Sequence, residues 1–398
     1  MKVLNVIETL APNYGGPVTV VTQLAEAEAQ SGLDVEILTT NADMPSGRYC
    51  EAGRSTLNGG TVPVTYCSVQ LNILRLSAGI ASFLHRNSKR FDIIHVHGLY
   101  RFPQSYAAAF ARNTNKPYVI TPHGALDPFL YARSSRSLAL KRIYERWVDF
   151  PNLNGASALH FTTEDERQLV SRLGLQAPSF VAPNGLNWKP YEILPPRGAL
   201  RARYGLADGP LILFLGRLHL KKGLPILIDA VNVVRRRHSD VRLLIAGPES
   251  GEYGRVIREQ TSQLGMADTT IFSGPLYGAD VTQAYVDADV FALPSHTENF
   301  GMTVAEAMAC ATPVVISDQV NIHAEVTSAG AGIVTHCDAN EVAAALSSLL
   351  DDRTRRQSMG QAGRRLVQGR YSWPSIVQTI THEYEGIVRR ARNSGKKI

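Results

Sequence analysis

The sequence has few cysteines, and none of them stands in a metal-binding or redox spacing. Among 398 residues there are four, with no Cys-x-x-Cys pair, at Cys50, Cys67, Cys310 and Cys337. This usage argues against a structural zinc site and against a disulfide framework. We therefore expect reduced thiols in a cytoplasmic protein.

Long apolar runs are also absent. No stretch approaches the roughly 20 apolar residues that a membrane-spanning helix needs. The opening run MKVLNVIETL is too short for a signal peptide, and the polar residues Asn5 and Glu8 interrupt it. We interpret this run as the first strand of a globular domain.

Several catalytic and binding motifs are missing as well. The chain has no G-x-x-x-x-G-K-[ST] phosphate loop, no G-x-S-x-G nucleophile elbow and no H-E-x-x-H motif. ATP-type phosphoryl transfer, acyl transfer and zinc hydrolysis are therefore disfavoured. The formal net charge of +6 suits an anionic small substrate or an anionic membrane surface. No basic segment with interleaved aromatics forms a recognisable module, so nucleic acid is not an expected partner.

The sequence does contain a regular alternation of short apolar runs and helical patterns. Runs such as VLNVIETL, DIIHVHG and YVITPHG occur in the first half, and LILFLGRL, VRLLIAGP and PVVIS occur in the second. Alternation of this kind predicts parallel sheets with crossover helices. The predicted fold class is therefore α/β, with two Rossmann-like doubly wound domains that face a central cleft.

A proline-rich segment separates the two halves. WKPYEILPPRGALRARYGLADGP follows Asn187 with four prolines and little periodicity, and we interpret it as a linker. The predicted domains span residues 1–186 and 187–374. The last amphipathic segment, at about 375–398, is expected to form a helix that packs back on the first domain.

The stretch SHTENFGMTVAEAMACATPVV, residues 295–315, carries the most specific motif. Glu298 and Glu306 have seven residues between them and flank an Asn-Phe-Gly turn, with apolar runs on both sides. A strand that ends in a polar turn and opens a helix forms a binding edge in an open α/β sheet. Carboxylates there accept hydrogen bonds from hydroxyls, and the helix N-terminus can face an anion. A ligand with sugar hydroxyls and phosphates suits this edge.

Two acidic motifs have structural alternatives. Thr303-x-x-Glu306 fits a capping box, in which Glu306 would only stabilise a helix start. Asp287-Ala-Asp289 spells the Asp-x-Asp pattern of metal-bridged sugar-nucleotide sites. It lies at the end of a helical pattern, however, so we favour a helix end there and predict no metal site.

Glycines and cations follow the first strand of the second half. Gly216 and Arg217, and then Lys222, precede a predicted helix. Two cations at a strand end, just before a helix N-terminus, can neutralise a diphosphate. The alternative is a solvated basic turn.

The first half has a weaker set of candidates. Gly15 and Gly16 follow the first strand and would let the backbone approach a ligand, although an ordinary tight turn is the alternative. His97 and His123 each end a strand, where a histidine can orient a hydroxyl. His123 is the stronger candidate of the two, because His97 can serve as a support.

Together these residues resemble the retaining glycosyltransferases of family 4, which have the GT-B architecture. The resemblance covers nearly the whole chain through FLGRLHLKKG, LLIAGPES, FSGPLYG and the two glutamates, with YGGP, HVHG and TPHG in the first half. It implies a metal-independent, retaining hexosyltransferase without a cofactor. The first domain would bind the acceptor, a glycan or lipid-linked sugar, and the second would bind the donor. A UDP-sugar is favoured over a GDP-sugar on family frequency alone.

The resemblance also implies individual roles. Arg217 and Lys222 would bind the donor diphosphate, Glu298 the donor sugar, Glu306 the ribose, and His123 the sugar near its reacting carbon. The implied catalytic residues are His123, Arg217, Lys222 and Glu298. The other implied donor-binding residues are Gly15, Gly16, Gly216, Pro275, Leu276, Asn299, Phe300, Gly301 and Glu306.

Three questions stay open. The basic stretch HGALDPFLYARSSRSLALKRIYERW suggests, through similar sequences in polysaccharide-building transferases, a peripheral contact with the anionic inner face of the cell membrane. A solvated helix face is the alternative. A sugar-nucleotide 2-epimerase of the same architecture and a non-catalytic sugar-nucleotide-binding protein are the alternative functions.

Overall fold

The computed structural model describes residues 1–11, 14–43, 53–131, 136–206, 209–249 and 251–394. The chain divides into two compact units, Met1–Gly185 together with the segment from Trp373 onward, and Leu186–Ser372. Each unit is built on one sheet. The predicted α/β class with two doubly wound domains is confirmed.

An eight-stranded sheet forms the centre of the first unit. Its order is β3-β4-β2-β1-β5-β6-β7-β8, and every neighbouring pair is parallel except β3 with β4. The antiparallel edge strand β3 was not predicted, because its sequence GRST is polar and mostly exposed. The strands are Lys2–Thr9 (β1), Asp34–Thr40 (β2), Gly53–Thr56 (β3), Pro63–Cys67 (β4), Ile93–His97 (β5), Tyr118–Thr121 (β6), Ala158–Phe161 (β7) and Ser179–Val181 (β8).

Helices connect most of these strands. The first of them begins after Gly15, whose φ of 74° is left-handed, and has Pro17 in its first turn. A π-helical turn, Glu145–Asp149, joins the fourth helix to the fifth. The helices are Gly16–Gln30 (α1), Ala78–Asn87 (α2), Phe102–Asn113 (α3), Arg136–Tyr144 (α4), Phe150–Asn154 (α5) and Glu164–Ser171 (α6).

The second unit has a six-stranded, fully parallel sheet. Its order is β11-β10-β9-β12-β13-β14. The residues from Leu211 to Phe214 are completely buried, as expected for a central strand that is covered on both faces. The strands are Leu211–Leu215 (β9), Arg242–Ala246 (β10), Thr270–Gly274 (β11), Val290–Leu293 (β12), Val314–Ser317 (β13) and Gly332–Thr335 (β14).

The helices of the second unit follow the same alternation. They are Ala199–Arg203 (α7), Leu224–Val234 (α8), Gly251–Gln263 (α9), Ala279–Asp287 (α10), Met302–Ala309 (α11), His323–Ala329 (α12), Ala339–Asp351 (α13) and Arg353–Arg370 (α14).

The proline-rich segment that we interpreted as a linker is part of the second unit. Its helix α7 is held by Asp287, whose carboxylate accepts from the backbone N–H of Leu200 at 2.8 Å. The buried Arg201 donates to Asp289 at 2.7 Å. The linker interpretation was therefore wrong, because hydrogen bonds to Asp287 and Asp289 hold this irregular segment in the second unit. The helix-end interpretation of Asp287 and Asp289 is confirmed, since α10 ends at Asp287.

The last helix, Trp373–Asn393 (α15), packs on α1 in the first unit. The Trp373 indole N–H donates to the Gln23 side chain at 2.9 Å. The Tyr384 hydroxyl lies 3.1 Å from a Glu28 carboxylate oxygen. Within the described ranges, no helix is both long and apolar enough to cross a membrane.

Removal of the Arg201 side chain tests the anchoring of α7. We expect Arg201→Ala to lower the free energy of unfolding by about 3 kcal/mol, because it removes hydrogen bonds to Asp289 and to the carbonyls of Asp287 and Gly209, at about 1 kcal/mol or more each. The matched control is Arg203→Ala on the same helix, whose pair with Asp280 is exposed and should contribute little. Urea denaturation followed by circular dichroism measures both. Equal midpoints for the two variants would contradict this account.

Candidate functional site

The strand order of the second unit brings two loops together at one edge of its sheet. β9 and β12 are parallel neighbours, with Ile212 opposite Val290. From β9 the chain continues to β10 on one side, whereas β12 leads to β13 on the other. The carboxyl ends of two strands at such a switch point form the usual ligand-binding position in an open α/β sheet. The loops after β9 and β12 contain Lys222 and Glu298.

Lys222 and Glu298 form an ion pair at this edge. The Lys222 ammonium donates to a Glu298 carboxylate oxygen, although the residues are far apart in sequence. Their side chains are 19% and 20% exposed, so the pair is accessible from solvent. Backbone contacts fix both loops, since the His296 N–H donates to the Lys221 carbonyl at 2.7 Å. The structure thus joins two of the four predicted catalytic residues.

Local geometry explains the position of Lys222. It ends a short 310 helix, Leu220–Lys222, and the His219 side chain caps that helix by accepting from the Lys221 N–H at 3.2 Å. The next residue, Gly223, has a φ of 65°, and a Cβ there would overlap the carbonyl oxygen of Pro294. A glycine is therefore required for the β9 loop to lie against the end of β12.

Arg217 follows Gly216 at the same edge, with an exposed side chain. The loop is fixed beside it, because the Leu218 N–H donates to the Pro248 carbonyl at 3.1 Å. Among the residues that the structure describes, no hydrogen bond or ion pair is found for the Arg217 guanidinium. Arg217 therefore shares the edge with Lys222 and Glu298 but does not contact their ion pair.

Glu306 lies within α11 rather than at its start. The N-cap is Gly301, with a φ of 85° and no side-chain cap, so the capping-box alternative is wrong. The Glu306 carboxylate accepts from the Tyr285 hydroxyl at 3.0 Å. Burial raises the pKa of Glu306 to about 7, although the Tyr285 hydrogen bond opposes that shift. Near neutral pH this carboxyl can therefore hold or release a proton.

The remaining predicted donor-binding residues divide between the loop and the core. The Phe300 ring is buried and packs edge-on against Tyr371, with ring centroids 5.1 Å apart. Its backbone is thus the part that a ligand could reach, and Asn299 and Gly301 flank it. Pro275 and Leu276 follow β11, where Pro275 is exposed and Leu276 packs partly on the core.

In the first unit the switch point lies between β1 and β5. Gly15 and Gly16 follow β1, and a Cβ at Gly16 would meet no atom within 4 Å. His123 follows β6, the neighbour of β5, and has a left-handed φ of 52°. Its Nε2 atom lies 3.2 Å from Nδ1 of His97. A non-glycine residue in this conformation is strained, and such strain is concentrated at functional sites.

A polar cluster that was not predicted lies beside this edge. The buried carboxylate of Glu8 accepts from the Tyr14 hydroxyl at 2.8 Å and from the Arg75 guanidinium at 3.1 Å. Arg101 lies 3.5 Å from the same oxygen. A glutamate within an apolar strand was the available signal. Its partners could not be predicted, because Arg75 and Arg101 are distant in sequence and Tyr14 lies in a turn.

Over the described ranges, no group of three or more His, Cys, Asp or Glu side chains is arranged to hold a metal ion.

Comparisons with known proteins identify the family. Residues 197–366 match the model of the glycosyl transferases group 1, and residues 15–185 match the glycosyl transferase 4-like domain. A D-inositol 3-phosphate glycosyltransferase from Xylanimonas cellulosilytica is 30% identical over 94% of this chain and 93% of its own length. The chain belongs to the group 1 glycosyltransferases. It is therefore a glycosyltransferase, and the predicted family is confirmed.

Solved structures of glycosyltransferases share the fold. Sucrose-phosphate synthase from Thermosynechococcus elongatus superposes with a TM-score of 0.80 at 22% identity, over 98% of this chain and all of that one. HepE from Anabaena, in complex with UDP and glucose, gives a TM-score of 0.75 at 20% identity, over 97% of this chain and all of that one. These matches agree with a GT-B glycosyltransferase fold.

Substitution of Gly223 tests the close approach of the two loops in this glycosyltransferase. Gly223→Ala should lower stability by clearly more than the roughly 1–2 kcal/mol that a left-handed alanine costs, because its Cβ also meets Pro294. The matched control is Gly330→Ala, which has the same left-handed conformation, with a φ of 61°, and no atom within 4 Å of the added Cβ. Thermal unfolding measures the difference. Equal losses would show that the β9 loop can move away without cost.

Proposed function

We propose that this glycosyltransferase moves a hexose from a nucleotide-diphosphate sugar to a hydroxyl of a sugar-containing acceptor, with retention of configuration and without a metal. The observation that carries the proposal is the Lys222–Glu298 ion pair at the β9–β12 switch point. The Lys222 ammonium can bind a phosphate, and the Glu298 carboxylate can accept hydrogen bonds from sugar hydroxyls. A donor substrate presents both groups side by side.

The chemistry follows from the charges at this edge. When the bond from the sugar to the diphosphate breaks, negative charge grows on the leaving oxygen. The cations Arg217 and Lys222 would offset that charge, and donors that are already in place do so without reorganisation. Glu298 holds the Lys222 ammonium beforehand and would accept from the donor-sugar hydroxyls. Because two cations can supply this stabilisation, the proposed reaction requires no divalent metal.

The relatives support the choice of substrates. HepE is described in complex with UDP and glucose, which favours a UDP-hexose over a GDP-hexose here. A relative of similar length acts, by its name, on D-inositol 3-phosphate. We therefore propose an acceptor that carries an anionic group beside its hydroxyl, such as a sugar phosphate, a glycolipid or a lipid-linked glycan. The first unit is proposed to bind that acceptor.

One assay with EDTA present separates the functions. The protein is incubated with UDP- and GDP-sugars and a panel of phosphorylated and lipid-linked acceptors. Nucleotide release that requires an acceptor supports the proposal. A separate thermal-shift screen with UDP and GDP identifies the preferred base, because a bound ligand stabilises the fold. Interconversion of the free donor would favour the 2-epimerase, and binding without any turnover would favour a sugar-nucleotide-binding protein.

Substitution of the ion pair tests the proposed site. We expect Lys222→Met and Glu298→Gln each to lower kcat by roughly 10²–10³, as when a preorganised transition-state donor is removed. The matched control is Lys221→Met on the same 310 helix, because Lys222 is the lysine that pairs with Glu298. The control should keep most of the activity. Near-normal rates in both Lys222→Met and Glu298→Gln would rule out this site.

We also propose a peripheral contact with an anionic membrane, because a specific surface favours it. Leu140, Ile143 and Trp147 recur at helical spacing over α4 and the π turn and are 71%, 57% and 73% exposed. Arg142 and Arg146 are exposed among them. Apolar side chains flanked by arginines suit the interface of a bilayer that contains anionic lipid.

Vesicle binding tests that surface. The protein should sediment with phosphatidylglycerol-containing vesicles and much less with purely phosphatidylcholine vesicles, and the triple change Leu140→Ser, Ile143→Ser, Trp147→Ser should abolish the difference. Ile193→Ser is the control, since Ile193 is 87% exposed but lies in the other unit. If the triple variant sediments like the unchanged protein, the helix face is merely solvated.

A further inference from the structure

A chain of buried hydrogen bonds runs through the first unit and ends at His123. It begins at the carbonyl of Ala182, which can only accept, so His160 must donate to it through Nε2 at 2.8 Å. In a neutral His160, Nδ1 then accepts from the Thr121 hydroxyl at 2.8 Å. The Thr121 oxygen lies 2.6 Å from Nε2 of His95 and accepts from it. His95 is therefore left with a lone pair at Nδ1.

The next link determines the proton on Glu28. Nδ1 of His95 lies 2.6 Å from the Tyr384 hydroxyl, which must donate to it. The Tyr384 oxygen also lies 3.1 Å from a Glu28 oxygen. A tyrosine has only one proton, so at this second contact the Glu28 carboxyl is the donor. Burial raises the pKa of Glu28 to about 7 and lowers the pKa values of His95 and His160, in agreement with a protonated acid and neutral imidazoles.

The second oxygen of Glu28 continues the chain of hydrogen bonds toward His123. It accepts from the amide nitrogen of Asn5 at 2.9 Å. The Asn5 carbonyl oxygen therefore faces Nε2 of His97, which donates to it at 2.9 Å. Neutral His97 then has a lone pair at Nδ1 and accepts from Nε2 of His123 at 3.2 Å. Burial lowers the pKa of His97 well below its usual value, in agreement with a neutral imidazole.

The reversed order does not satisfy the network. If the Asn5 amide were turned around, its oxygen would need a proton from Glu28 at the same time as the Tyr384 oxygen needs one. A carboxyl group has only one proton to give. If instead Glu28 is ionised, it accepts from both neighbours, the Asn5 amide nitrogen still faces it, and one imidazole of the His95–His160 segment carries the proton. Both cases lead to the same state of His123.

We propose that Glu28, Asn5 and His97 are positioning residues that fix His123 as the Nε2–H tautomer. The Nδ1 atom of His123 then offers a lone pair to a hydroxyl of a sugar bound beside it. The sugar contact rests on the proposed function, whereas the tautomer does not. In this arrangement His123 accepts a hydrogen bond and does not donate one to the leaving group.

Nuclear magnetic resonance reads the tautomer directly. In ¹⁵N-histidine-labelled protein, long-range proton–nitrogen spectra distinguish a protonated ring nitrogen from a bare one, and loss of a signal in His123→Asn assigns it. We expect a protonated Nε2 and a bare Nδ1 for His123. A protonated Nδ1 at His123 in the unchanged protein overturns the proposal.

Two variants test the relay. Glu28→Gln copies the protonated acid, because its amide N–H₂ can donate to Tyr384 and its oxygen can accept from Asn5, so the tautomer should persist. Asn5→Leu removes the link, so His123 should show a mixture of tautomers. The matched control is Asn152→Leu, another buried asparagine of the first unit that donates to the Ser105 carbonyl outside this network. Its His123 signal should be unchanged. If Asn5→Leu fails to fold, the unchanged protein and Glu28→Gln still decide the tautomer.

Kinetics test the consequence separately. Asn5→Leu should lower kcat/KM about tenfold relative to Asn152→Leu, the loss expected when one hydrogen bond to a substrate hydroxyl is no longer held in place. Glu28→Gln should retain the rate. Equal rates for Asn5→Leu and Asn152→Leu would overturn the contact with the sugar even if the tautomer is as expected. The spectra need no donor or acceptor, so an error in the proposed function cannot be mistaken for an error in the tautomer.

Discussion

The parallel pairing of β9 with β12 is the constraint on which the candidate site of this glycosyltransferase depends. All six strands of that sheet run in the same direction, so the loops after β9 and β12 leave from the same edge. The left-handed Gly223 then lets one loop lie against the carbonyl of Pro294 at the start of the other. Without this close approach, Lys222 and Glu298 would be two ordinary exposed charges.

The ion pair between these residues has a preparatory role. The contact limits the rotamers of both side chains, and both stay accessible. A partly exposed pair is expected to contribute little to stability, so we explain its geometry by the proposed ligand. Glu306 differs, since burial raises its pKa and its carboxyl already accepts a hydrogen bond from Tyr285.

The first unit buries several polar side chains, and each of these needs a hydrogen-bond partner. A buried network is stable only when its members are satisfied. Here the C-terminal helix returns to the unit that contains β1, and its Tyr384 joins Glu28 to His95. Helix α15 therefore contributes a buried hydrogen-bonding side chain as well as apolar contacts. Through Tyr384 it is part of the hydrogen-bond chain that leads to His123 at the edge of the sheet.

Local pattern was enough to predict most of the fold. The apolar runs VLNVIETL, DIIHVHG, LILFLGRL and PVVIS each overlap an observed strand, because parallel strands that are buried on both faces are mostly apolar. Strand β3 escaped prediction since an exposed edge strand needs no such signature. The segment after Asn187 was misinterpreted because its attachment depends on Asp287 and Asp289, which lie far along the chain. The roles of all the predicted catalytic and donor-binding residues and the division into acceptor and donor domains remain predictions.

The sequence by itself determined the α/β alternation, the glycines at the turns and the residue types at the strand ends, since all of these follow from short-range sterics and hydrophobic period. Only the tertiary structure decided which of these residues meet. It paired Lys222 with Glu298, turned the Phe300 ring into the core and ordered the protons from Tyr384 to His123. The reason is physical, because contacts between distant residues are set by strand order and packing, and neither leaves a mark on the local pattern.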